Sequence, residues 1–242
     1  MQAPLSKEIA FILAAALSAM TAGCGPEATE PAAIGHYLHS PESVSRLGRV
    51  VFVELGDRGG DEEFAQTMTD AISRSVRDRK LFHVDVLRRS EPVCRILPVD
   101  KRSALTYQEV MEMRRLLNCE AVLFGWVDRY SPYPHMETGI YLRLLDLNRG
   151  QVVWGVDHVW DTGDKSVERR IRDFYYAESA DGLEPAEWRL ALMSPRAFGR
   201  FVAFEIGRTL PNSESAEALD ERVRREKRRR VLEEMGEKLE DL

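Results

Sequence analysis

Asn118-Cys119-Glu120-Ala121-Val122-Leu123-Phe124-Gly125 is the stretch on which the fold turns. A helix ends at Asn118, and within three residues a buried strand begins at Ala121. Just upstream, Thr106-Tyr107-Gln108-Glu109 has the form of a capping box, the Thr hydroxyl taking the Glu109 amide while that carboxylate reaches back. The helix so opened turns Val110, Met113 and Leu117 inward and stops at Asn118. The strand then runs from Ala121 to Tyr130.

The same alternation extends in both directions. Toward the N-terminus, Arg49-Val50-Val51-Phe52-Val53-Glu54-Leu55 suits a strand buried on both faces. Gly56-Asp57-Arg58-Gly59-Gly60 breaks it as a tight βα turn. Asp61 caps a helix to about Arg79, with Phe64, Met68, Ala71, Ile72, Ser75 and Val76 on one stripe. Leu81 to Leu87 is a second strand, followed by a loop with Pro92, Cys94 and Pro98. Toward the C-terminus, Ser131-Pro132-Tyr133-Pro134-His135 turns the chain. Ile140–Leu147 and Gln151–Trp160 form a hairpin, with Gly150 where positive φ is wanted. Helices follow at Asp164–Glu178, with Val167, Ile171, Phe174 and Tyr175 at helical spacing, and from Ser194-Pro195 to Leu210. The order β-α-β-α-β-β-β-α predicts an α/β (α+β) body: one mixed sheet of about five strands with packed helices, plus a long charged C-terminal helix.

The first residues read differently. Lys7 precedes an apolar run from Ile9 to Met20, too short to span a bilayer comfortably, and then comes Thr21-Ala22-Gly23-Cys24. Small residues before a cysteine resemble the lipobox of bacterial lipoproteins. The resemblance implies cleavage before Cys24, lipid on its sulfur, and a membrane anchor of two or three acyl chains worth ~0.8 kcal/mol per buried CH2. Gly25 rather than Asp after that cysteine leans toward the outer membrane. The expected organisation is a signal peptide at 1–23, a proline-bearing tether at 24–46, a periplasm-facing α/β domain at 47–211 and the charged helix at 212–242.

Taken with this order, the segment 118–125 and the stretches Val50–Leu55, Glu62–Arg79, Phe82–Leu87, Tyr107–Asn118 and Ile140–Trp160 resemble the periplasmic domains of the CsgG and TolB N-terminal type. The penicillin-binding-protein activator LpoB shares that architecture. The resemblance spans residues 47–210 and implies a non-catalytic envelope lipoprotein that serves assembly, secretion or enzyme activation. Pore formation is not carried over: Asp128–Glu137 is too short and proline-rich to supply membrane-inserting strands.

The 242 residues, 44% hydrophobic and 31% charged, suffice for one sizeable core. A net charge of −6 asks for no nucleic-acid partner. No Gly-x-Ser-x-Gly, His-Glu-x-x-His, Walker loop or Cys-x-x-Cys is present, and neither metal nor cofactor is expected. His36 and His39 are three apart but have no third ligand nearby. Cys94 and Cys119 can pair or stay packed as thiols. The four tryptophans are expected in the core.

The surface best suited to a protein partner is Tyr130, Tyr133 and His135, on a loop stiffened by two prolines. Arg222, Arg224, Arg225, Lys227, Arg228, Arg229 and Arg230 form a basic block, read as a solvated helix face, as a contact for an anionic surface, or as part of a helix that dimerises as a short coiled coil. The expected function is thus a membrane-anchored lipoprotein that binds another envelope component. One alternative is a ligand-binding lipoprotein for a cell-wall fragment or small anion, with its pocket near Gly56–Asp61 or His135. Another is an enzyme of unrecognised class, in which Glu54, Asp85, Asp128 and His158 converge.

Overall fold

The computed structural model describes residues 34–59, 61–100, 103–178 and 187–213. The export signal, Cys24 and the charged segment beyond Ser213 lie outside the described residues. The body is a seven-stranded mixed sheet in the order β1-β7-β6-β5-β2-β4, with β3 paired to β5 off that path. In chain order the strands are β1 (His36–Leu38), β2 (Arg49–Val53), β3 (Gly56–Asp57), β4 (His83–Leu87), β5 (Ala121–Ser131), β6 (Glu137–Asp146) and β7 (Gln151–Asp161). The helices are α1 (Pro41–Ser45), α2 (Glu62–Asp78), α3 (Tyr107–Leu117), α4 (Lys165–Glu178), α5 (Glu187–Ala191) and α6 (Pro195–Arg208). Strands β2, β4 and β5 run parallel, and β5, β6, β7 and β1 form an antiparallel meander.

Local signals set the element ends. The Asp61 carboxylate accepts the Phe64 amide at 2.8 Å and opens α2. The capping box at Thr106 closes in both directions, with Glu109 Oε2 accepting the Thr106 amide at 2.8 Å. Asn118 ends α3 in the left-handed region at φ 45°, which Asn tolerates better than most residues.

The single mixed sheet with packed helices is the one expected, extended to seven strands by the short β1 and β3. One correction concerns extent. Residues expected in the tether are folded: β1 pairs with β7, and Ser40 caps α1 by accepting the Ser43 amide at 3.1 Å. A three-residue edge strand owes its existence to a distant partner, so no local pattern announces it.

The sheet has two cores. On one face α2, α4, α5 and α6 cover Val50, Phe52, Leu123, Leu142, Trp154 and Trp160. Fully buried Phe198 and Phe201 on α6 each contribute roughly 2 kcal/mol. A buried polar tie joins three elements of this layer. Glu205 accepts Trp160 Nε1 at 2.7 Å and Arg170 Nε at 2.8 Å, linking α6 to β7 and α4. On the other face α3 and a 3-10 turn at Pro92–Ile96 cover Val51, Val53, Val122 and Phe124. Cys94 and Cys119 are free thiols buried in this smaller core, and burial pushes both pKa values up. Among the described residues no helix is long and apolar enough to cross a membrane.

Candidate functional site

The connection from β2 leads to α2 on the larger-core face, while the connection from β4 leads to α3 on the other. At the carboxyl ends of β2 and β4 the two connections therefore part to opposite faces of the sheet. A crevice of about 400 Å³ lies there. Glu54, its side chain only 5% exposed, accepts the Arg89 amide at 3.2 Å, and the Arg88 guanidinium stands 3.8 Å away. Arg88 also grips Asp70 at 2.6 Å, and Arg89 grips Asp100 at 2.7 Å. A carboxylate at the end of an apolar strand, in Val-Val-Phe-Val-Glu, was the sequence signal for this cluster. Glu54, Glu62 and Asp70 outnumber the two arginines that line the crevice, so a small anion would meet net repulsion here.

The four groups offered for catalysis are dispersed. Glu54 lies in that crevice. Asp85 sits on the edge strand β4, held by Arg49 at 2.8 Å, whose hydrogen bond draws its carboxyl below the usual range. Asp128 lies at a bulge in β5. His158 is on β7, accepting the Gly35 amide at 3.4 Å; burial, with help from Arg170, lowers its pKa. His36 and His39 sit on or just after β1 with separate partners: the Ile34 carbonyl for one, Tyr37 and Gln151 for the other.

The expected aromatic trio is split. Tyr133 projects from the β5–β6 loop at 84% exposure, and the Ser131 hydroxyl donates to its carbonyl at 2.9 Å. The Tyr133–Pro134 peptide is cis. His135 is exposed beside Gly163. Tyr130 turns to the opposite face and stacks on Phe64 with ring centroids 3.8 Å apart. Burial, reinforced by Asp61, raises its hydroxyl pKa.

A surface that no motif announced adjoins the loop. On the α3 side, the smaller core ends partway across the sheet. Register carries that face onward through Trp126, Tyr141, Arg143, Asp157, Val159 and Tyr37. Arg58 lies over the Trp126 ring at 4.0 Å, Trp126 stacks on Tyr141 at 4.5 Å, and Arg143 lies over Tyr141 at 4.8 Å. Tyr37 and Val159 remain 49% and 45% exposed. The Arg129–Glu137 pair, at 2.6 Å, continues the surface up the β5–β6 hairpin toward Tyr133. Cys24 and the basic block from Arg222 to Arg230 lie outside the described residues.

These features define a mixed α/β domain in which, among the described residues, one sheet face is only partly covered. No family model matches the chain, and no curated protein sequence does. Its fold is similar to the LpoB C-terminal domain from Salmonella enterica, with 12% identity over 50% of this chain and 95% of that one, at a TM-score of 0.34. It is also similar to the lipoprotein GNA1162 from Neisseria meningitidis, with 12% identity over 56% of this chain and 99% of that one, at a TM-score of 0.35. A third similar structure is the PelC dodecamer from Paraburkholderia phytofirmans, with 16% identity over 53% of this chain and 80% of that one, at a TM-score of 0.38.

Proposed function

We propose that this chain is a lipid-anchored envelope protein whose body docks another envelope protein, in assembly or secretion, rather than transforming a substrate. The half-open sheet face carries the reading. Arginine and tyrosine are enriched at the centres of protein interfaces, and here Arg58, Tyr141 and Arg143 stand in one row backed by the buried Trp126. Tyr133 and His135 extend the contact at the hairpin tip.

The anchor is lipid on Cys24, at the outer membrane as Gly25 suggests. Since folded structure is already described at Ile34, nine residues lie between it and Cys24, a span of ten Cα steps reaching at most about 35 Å. The partner would therefore meet the body close to the bilayer.

A photo-crosslinking residue placed in living cells at Tyr133, Tyr141 or Tyr37 is expected to capture one and the same envelope protein. The control is Tyr107, on α3, which is 78% exposed and belongs to neither surface. Capture at Tyr107 as strong as at the other three, or capture at none of them, would rule out this face as the docking site.

A further inference from the structure

We propose that the outer face of α4, α5 and α6 lies against an anionic phospholipid surface, the leaflet that holds the Cys24 anchor proposed above. The inference rests on that anchor and goes beyond it by fixing which side of the body meets the lipid.

Helix α6 buries Phe198, Phe201, Val202 and Ile206. The same periodicity leaves Arg196, Arg200, Phe204 and Arg208, each four residues from the next, in one exposed row. Arg200 lies over the Tyr175 ring and Arg208 over the Phe204 ring, both at 5.7 Å. A ring steadies a guanidinium at the surface without cancelling its charge. Beside this row α4 exposes Arg169, Arg172 and Tyr176. At the corner before α6, Arg189 is exposed together with Leu190 and Met193, the last two at 53% and 75%. Among the described side chains of these three helices, Asp173 is the one exposed carboxylate against six exposed arginines. The whole chain carries −6, so its sign sets this face apart. Arginines interleaved with large apolar side chains suit the headgroup region, where the cations meet lipid phosphate and Leu, Met or Phe enters the acyl boundary.

The point where the chain joins the body selects lipid over another acidic surface. Ile34 is buried in the core that these helices cover. The Gly35 amide meets His158, whose ring stands edge-on to Trp160 at 4.7 Å in that same layer. The body is therefore joined to the segment from Cys24 on its helical side, with at most about 35 Å of chain between. A basic face held that near gains from the negative potential of the leaflet, which acts within about 10 Å of the surface. The opposite sheet face, with Tyr141 and Arg143, is then turned away from the lipid, toward a protein partner.

The test is a nitroxide depth measurement on the lipidated full chain, bound to vesicles of phosphatidylcholine with phosphatidylglycerol. A label at Leu190→Cys or Met193→Cys should be relaxed by oxygen dissolved in the lipid and shielded from an aqueous nickel complex. A label at Val159→Cys, on the open sheet face, should show the reverse. Cys94 and Cys119 are buried, and the chain without an added cysteine gives the background. Arg196→Glu/Arg208→Glu should return the label at 193 to water. In the Cys24→Ser chain the same charge reversal should weaken binding to these vesicles on the order of tenfold. Labels at 190 and 193 as open to nickel as the one at 159, on vesicles that retain the chain, overturn the proposal and leave the anchor standing. Equal binding of the reversed and parent Cys24→Ser chains overturns it too. A chain retained neither by these vesicles nor by phosphatidylcholine alone overturns both the proposal and the anchor.

Discussion

Replacing Gly125 with alanine should unfold the body or lower its melting temperature by about 10 °C or more, while Gly139→Ala should leave it nearly unchanged. Gly125 lies in the middle of β5 beside Leu142 of β6. A Cβ there would run into the carbonyl oxygen of Tyr141, with the Leu142 Cα at 3.0 Å behind it. Both obstacles are backbone of the neighbouring central strand, so no side chain can swing away. Overpacking against movable side chains costs about 1–3 kcal/mol, and against fixed backbone the cost lies at or above the top of that range. At Gly139 the nearest atoms are 3.5 Å away, an ordinary contact distance, and two of the three are in side chains. Thermal unfolding followed by far-ultraviolet circular dichroism checks the pair. A Gly125→Ala protein that melts with wild type would show that β5 and β6 approach less closely than described.

The second large effect is expected at Glu205. Its carboxylate is the acceptor for both Trp160 Nε1 and the Arg170 guanidinium, and the Glu205 and Arg170 side chains are 10% and 23% exposed. Glu205→Ala leaves a largely buried cation and a buried indole N–H without that acceptor, at a cost of about 3 kcal/mol. Glu205→Leu combined with Arg170→Met removes both charges together and should recover much of that loss, because a buried pair replaced by apolar groups is often close to neutral. Urea denaturation of the single and double variants separates the outcomes. If the double variant is as weak as the single, packing around Trp160 rather than the ion pair holds α4, α6 and β7 together.

Much of the body could be read from local pattern. The capping residues Asp61 and Thr106, the glycine turn at 150 and the 110/113/117 stripe on α3 are short-range signals, and each element formed where its signal lies. Strand β1 and helix α1 were hidden because pairing with β7 creates the one, and the other is only five residues long. The proposed docking surface was partly hidden for a sharper reason. Strict alternation from Trp126 would put Tyr130 on the same face, beside the loop tyrosine. A register shift between Val127 and Arg129 reverses the alternation and sends Tyr130 to the other side, onto Phe64. The row Arg58–Trp126–Tyr141–Arg143 comes from three separate strand segments and exists only once the sheet is assembled.

The central proposal is that lipid on Cys24 tethers this body to a membrane, and that sulfur is where it can be checked most directly. Intact-mass analysis of the protein extracted from membranes should give a polypeptide that begins at Cys24 and carries diacylglycerol on its thioether, with the mass of the acyl chains lost in Cys24→Ser. A chain recovered from the aqueous fraction with residues 1–23 still attached and no added lipid would contradict the account.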